Sequence, residues 1–220
     1  MNYSTYANRL LAHYWHQCFL CVFLILLGIF GCGGDEVDTA DDEVDTAGAE
    51  VNTAAKIVGT WELKTIDGKK PKAYVQQDIE DETAEVLAVE NKILFASNGI
   101  FRQETLITTR GLILDSPTPV YIRSVLRITT KGRYAVSIST VVFIYSNDDS
   151  DIKLDLSLDT PGNPKLKQQL EQQAEWKELK ATAKQEAPHD FRLDLDIQTL
   201  ELEGEILTST NNGKVIYTKR

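Results

Sequence analysis

Residues 151–159 read DIKLDLSLD, and the alternation across them decides the fold. Ile152, Leu154, Leu156 and Leu158 share one parity, while Asp151, Lys153, Asp155, Ser157 and Asp159 share the other. A helix would scatter both sets around its circumference, whereas an extended strand puts each set on one side. The same rule recurs on either flank. Residues 120–128 oppose Val120, Ile122, Leu126 and Ile128 to Tyr121, Arg123 and Arg127. Residues 191–198 oppose Phe191, Leu193, Leu195 and Ile197 to Arg192, Asp194, Asp196 and Gln198. Residues 200–206 oppose Leu200, Leu202 and Ile206 to Glu201, Glu203 and Glu205. One wet face and one dry face predict antiparallel pairing rather than a parallel sheet covered by helices.

The punctuation between these runs agrees. Ser97-Asn98-Gly99 separates KILFA from IFRQETLI, Lys131-Gly132 separates YIRSVLRITT from RYAVSISTVVFIYS, and Asn211-Asn212-Gly213 separates ELEGEILTS from KVIYTKR. Gly and Asn accept the positive φ of tight hairpins, so each is read as a turn. With a first strand near Trp61, about eight or nine strands are expected. A meander of this length closes on itself, because closure removes unpaired edges and buries the apolar face in one step. The expected fold is therefore mainly β, an antiparallel up-and-down β-barrel with one inserted or surface α-helix.

That helix is read over residues 163–187, NPKLKQQLEQQAEWKELKATAKQEA, with Leu166, Leu170 and Ala174 at i, i+4 and i+8. Pro164 suits its first turn and Pro188 is expected to stop it. Two roles are open: a surface helix packed by one edge, or a lid or partner-binding arm with Trp176 as anchor. Residues 75–90, VQQDIEDETAEVLAVE, read as an acidic helix or a loop.

The N-terminal part is of a different kind. Residues 1–31 contain no acid, and Cys18 to Gly31 form an apolar run, CFLCVFLILLGIFG, of 14 residues. A spanning helix needs roughly 20, so the run fits the apolar core of a secretory signal. It ends in Ile29-Phe30-Gly31-Cys32, which resembles the bacterial lipobox. The resemblance implies that Cys32 is lipidated and becomes the mature N-terminus, with membrane attachment through its acyl chains, palmitate among them. A short N-terminal membrane anchor with incidental cysteines is the alternative. Cys18, Cys21 and Cys32 are the three cysteines, so the chain after Cys32 has no disulfide, thiolate metal site or cysteine nucleophile. Gly33, rather than Asp, follows the cysteine, which in Gram-negative sorting favours the outer membrane or periplasmic face.

Residues 32–55 are expected to be a tether. DEVDTAD, DEVDTAG and AEVNTAA repeat with period seven over 35–55. One Val per repeat is too thin a seam for a coiled coil, so a disordered, self-repelling spacer is expected. The stretch lacks the Asp spacing, central Gly and closing Glu of a calcium loop. The whole chain carries 33 acidic and 23 basic residues, a net charge of −10. Eight of the acids fall in 33–55, where there is no Lys or Arg. This balance argues against nucleic acid as a partner, since phosphate surfaces require a basic excess.

The organisation is thus a signal peptide (1–31), a tether (32–55) and a barrel domain (56–220). Within the last, KIVGTWELKTIDGKK (56–70), ILFASNGIFRQE (93–104) and NGKVIYTKR (212–220) resemble the lipocalin-like domains of bacterial lipoproteins. Their opening Gly-x-Trp motif corresponds to Gly59-Thr60-Trp61. The resemblance implies that Trp61 closes one end of the barrel under a basic side chain, Arg220 or Lys219.

Little else points to chemistry. His189 is the only histidine after residue 31, beside Asp190, and no nucleophile elbow or phosphate loop is present. The strand acids, Asp151, Asp155, Asp194, Asp196, Glu201, Glu203 and Glu205, alternate with apolar residues and mark a solvated face. No catalytic residue, metal site or cofactor is expected. Two functions follow: a small hydrophobic ligand bound within the barrel, or a filled, non-enzymatic barrel contacting another envelope protein through its surface or the 163–187 helix. The expected address is the bacterial cell envelope.

Overall fold

A computed structural model describes residues 55–77, 79, 83–114, 118–190, 198–209 and 214–220. The expected signal segment, Cys32 and the tether through residue 54 lie outside these residues, as do 191–197 of one expected strand and the 211–213 turn. The elements are β1 (Gly59–Ile66), α1 (Pro71–Gln77), β2 (Ala84–Phe95), β3 (Ile100–Leu114), β4 (Val120–Ser137) and β5 (Thr140–Asp159). They continue with α2 (Pro164–Gln172), α3 (Ala174–Asp190), β6 (Gln198–Glu203), β7 (Ile206–Ser209) and β8 (Val215–Lys219).

The eight strands form one closed antiparallel barrel in sequence order, with β8 returning to β1. Trp61 pairs with Lys219 and Leu63 with Tyr217 across that seam. The alternation in 151–159 performs as expected: Leu154, Leu156 and Leu158 are buried and pair with Leu126, Ser124 and Ile122 of β4. The turn after Ala96 also falls where expected, and the Asn98 side chain accepts from the Ile100 amide at 3.2 Å.

Several expectations are corrected. Lys131-Gly132 is not a turn but lies inside β4, and the chain reverses at Ile138-Ser139. Gly132 is needed for space: a Cβ there would sit 2.3 Å from the Ile144 carbonyl oxygen and 2.7 Å from Cε1 of Phe101. Opposite this point β5 carries four residues, 146–149, between Tyr145 and Ser150, the partners of Gly132 and Thr130. Residues 200–206 are not one strand. Gly204 has φ of +62° and Glu205 lacks a positive φ, which makes the Glu203-to-Ile206 connection a two-residue type II′ hairpin. Ile206 consequently begins the next strand and is exposed, while Leu200 and Leu202 are buried. Among the described residues of 75–90, helix ends at Gln77, and 84–90 belong to β2.

The expected single helix is two. α2 stops at Gln173, whose ψ of 143° is extended, and α3 then runs through Pro188 to Asp190. Asn163 caps α2, its side-chain oxygen accepting from the Leu166 amide at 3.0 Å. Trp176, Ala183 and Ala187 form the buried stripe of α3, which lies against β5. Ala187 is buried at the last turns of α3, and the helix continues past it through Pro188. Trp176 is therefore a packing residue and not an exposed anchor.

β2 is longer than the part of it that pairs with β1, and α1 lies against the remainder. β1 pairs with β2 only over residues 92–95 of β2, and β6 pairs with β5 only over 140–143. α1 meets the exposed stretch of β2: the Gln76 side chain accepts from the Val86 amide at 2.6 Å and donates to the Ala84 carbonyl at 3.0 Å. One amide thus imitates a neighbouring strand at an edge that would otherwise be unpaired. Gln76→Ala should cost about 1–2 kcal/mol. It should also accelerate hydrogen exchange at the Val86 amide more than at Ile93, deep in the paired part of β2.

Candidate binding site inside the barrel

Strand direction places the start of β1, the β2–β3 turn, the β4–β5 tip, the β6–β7 turn and the end of β8 at one end of the barrel. Trp61 lies at this end, fully buried. Its indole N–H donates to the Ile57 carbonyl at 2.7 Å. Gly59 precedes it with φ of +133°, and a Cβ there would lie 3.0 Å from Cε of Lys219. The Lys219 ammonium sits 5.8 Å from the indole centroid and donates to the Lys56 carbonyl at 2.6 Å. Of the two basic candidates, Lys219 is the one over the ring, an attraction worth about 0.5–1 kcal/mol. Arg220 instead pairs with Glu62 at 3.2 Å, while its own amide donates to the Thr60 carbonyl at 2.9 Å. A hydrogen bond from Lys64, aided by the Arg220 charge and opposed by partial desolvation, holds the Glu62 carboxyl below its usual range. Cys32 lies outside the described residues.

Inside, the same end is filled by aromatic rings. Phe95 and Phe143 stack at 5.5 Å, while Phe101 meets Phe143 edge-on at 4.8 Å. Tyr134 meets Phe95 edge-on at 4.9 Å, and its hydroxyl donates to the Ala96 carbonyl at 2.6 Å. These arrangements match the quadrupoles of the rings and plug the barrel.

Beyond the rings the inner wall turns polar. Gln103, Thr130 and Ser150 are direct cross-strand partners, as are Asn91 and Thr105 one step further along. Asn91 Nδ2 donates to Thr105 Oγ1 at 2.8 Å, Gln103 Nε2 donates to Asn91 Oδ1 at 3.2 Å, and the Ser150 hydroxyl donates to Thr130 at 3.3 Å. Asn91, Gln103, Thr105 and Thr130 are each at most 4 % exposed, so the belt is buried across β2, β3 and β4, while Ser150 on β5 is half-buried. Past it the wall is aliphatic again, with Ile107, Leu126, Ile128 and Leu154 buried. A second polar pair, Thr109 and Ser124, lies further along with its hydroxyl oxygens 2.6 Å apart. Sequence reading missed this belt because Gln103, Thr105 and Thr130 occupy inward positions where alternation leads one to expect apolar residues. The signal that could have found it is parity: counting on from Phe101 makes Gln103 and Thr105 inward.

Tyr217 faces the interior from β8 and is 3 % exposed. Burial pushes its phenol far above the ordinary tyrosine range, and Tyr134 is raised by the same cause. The unfolded chain ionises tyrosine near pH 10, whereas the folded chain keeps the proton. The contribution is therefore fully present below about pH 10 and is lost as pH rises towards the folded value. Urea midpoints should fall above about pH 10, and Tyr217→Phe should flatten that decline. Absorbance at 295 nm should show one tyrosine ionising only with unfolding.

The described residues contain no group of three or more His, Cys, Asp or Glu side chains able to hold a metal ion. The interior presents amide and hydroxyl groups between an aromatic floor and an aliphatic wall. Compared with models of protein families, with curated proteins and with solved structures, the chain matches none.

Proposed function

We propose that the chain is a lipid-anchored protein of the bacterial cell envelope whose lipocalin-like barrel takes a small hydrophobic ligand into its interior, without catalysis. The polar belt of Asn91, Gln103, Thr105, Thr130 and Ser150 carries this reading. Buried amides and hydroxyls gain little over well-packed aliphatic side chains in a solid core, because each must first be desolvated. In a binding protein they orient a guest. The signal-like run, the lipobox-like Ile29-Phe30-Gly31-Cys32 and the acidic repeat support the anchored location. The described residues that precede β1 lie beside Trp61 and Lys219, at the aromatic-plugged end.

Two measurements test the reading. Full-length protein should raise the emission of an apolar, environment-sensitive dye saturably, near one dye per chain. Absent or unsaturable enhancement would count against an interior site. Labelled palmitate fed to cells should enter the protein and be lost with Cys32→Ser; label that persists in that variant contradicts the anchor.

A second reading is a filled barrel that binds another envelope protein. Its support is an exposed aliphatic row on the outer wall, where Ile100 and Ile144 flank Arg133 on adjacent strands and Ile138 caps the nearby tip. Crosslinking from position 144 in cells to one defined protein, together with no dye site, would favour it.

A further inference from the structure

The polar groups of the inner belt are all uncharged. Asn91 and Gln103 are amides, and Thr105, Thr130 and Ser150 are hydroxyls, each able to donate and to accept. Among the residues whose side chains are described, which leaves out 145–149 and 188–190, no buried one is Asp, Glu, Lys, Arg or His. The buried Tyr217 phenol is held neutral by its surroundings. Four cations near the two ends are engaged by other groups. Arg110 is 2.8 Å from Glu85 and 3.9 Å from Asp159, and Lys72 is 3.7 Å from Glu85. Arg220 pairs with Glu62, and Lys219 donates to the Lys56 carbonyl.

An anionic head brought to this belt would find hydrogen-bond donors but no counter-charge among the belt's own side chains. Removing a carboxylate or phosphate from water without a cation costs far more than removing a hydroxyl, ester or amide, whose donors and acceptors the belt can satisfy. The aromatic plug of Phe95, Phe101 and Phe143 closes one side of the belt, so an aliphatic tail has only the other side, along Ile107, Leu126 and Leu154.

We infer that the barrel selects by charge: it takes a neutral amphiphile, with its hydroxyl, ester or amide head on the Gln103–Thr130–Ser150 row and its apolar tail along the aliphatic wall, and it rejects the anionic acid of the same tail. This deepens the ligand-binding reading above and rests on it.

The test is competition on full-length protein at pH 8, with 1-hexadecanol and hexadecanoate each displacing the apolar dye. The alcohol should displace it at a concentration at least about tenfold lower, since only the acid must bury a charge. Thr130→Val keeps the shape and removes one hydroxyl, and should weaken the alcohol several-fold while leaving the acid unchanged. Gln103→Met should act in the same direction, and an unchanged far-ultraviolet spectrum shows that each variant is folded. Equal displacement by acid and alcohol, or a preference for the acid, overturns the charge selection while leaving an interior site intact. Alcohol affinity unchanged in both folded variants overturns the placement of the head. Displacement by neither compound overturns the ligand-binding reading itself, and the inference with it.

Discussion

Replacing Trp61 by alanine should lower stability by about 3–5 kcal/mol, the range for a fully buried large aromatic. The residue is fully buried, pairs with Ile93 on one side and Lys219 on the other, and spends its only polar group on the Ile57 carbonyl. Truncation would therefore empty the point where the barrel closes and orphan a backbone acceptor as well. Lys219→Met keeps the aliphatic stem and removes only the charge, so it should cost no more than about 1 kcal/mol. Urea unfolding of the two variants separates packing from cation attraction. Similar losses for both would mean that the indole owes its importance to the lysine rather than to its volume.

Gly132→Ala should be nearly as damaging, at about 3 kcal/mol, although it adds a single methyl group. The new carbon would lie 2.3 Å from the Ile144 carbonyl oxygen and within 3.0 Å of two ring atoms of Phe101. A backbone oxygen in a paired strand cannot swing aside as a surface side chain can. The ring is itself wedged against Phe143. Relief would require β5 to separate from β4 where β5 already carries the 146–149 excursion. Gly68→Ala, with nothing within 4 Å of its Cβ position, should cost only the roughly 1–2 kcal/mol of a positive φ. Chemical denaturation of the pair, with near-ultraviolet circular dichroism to follow the phenylalanine and tyrosine cluster, would show whether crowding is the cause.

These two positions mark what could and could not be read from sequence. Leu154, Leu156 and Leu158 announced their strand because a sheet with one wet face leaves its parity in the chain. Closure followed from the number of such segments. Gly132, by contrast, carries the usual signature of a turn, and nothing nearby in sequence reveals that Phe101 and the Ile144 carbonyl press on it. Its role is tertiary. The hairpin at Gly204-Glu205 was hidden for a related reason: the Leu200, Leu202, Ile206 parity continues unbroken through a two-residue reversal. Pro188 looked like a stop because its local preference opposes helix, yet α3 continues through it to Asp190 with Ala187 buried. The Trp61 motif was legible, whereas the choice of Lys219 over Arg220 depends on which way the last residues of β8 face. The inner belt was illegible for the deepest reason. A polar residue at an inward position looks like an error in a pattern until strand pairing shows that Asn91, Gln103, Thr105 and Thr130 meet one another.

The most direct trial of the interior as a binding site is native mass spectrometry of the protein released gently from its own membrane. The account predicts a mass excess of one small molecule over the covalently modified chain, lost on collisional activation and identified after extraction as a neutral, lipid-like compound. A bare chain at every activation energy, or one carrying only a second protein, would contradict it.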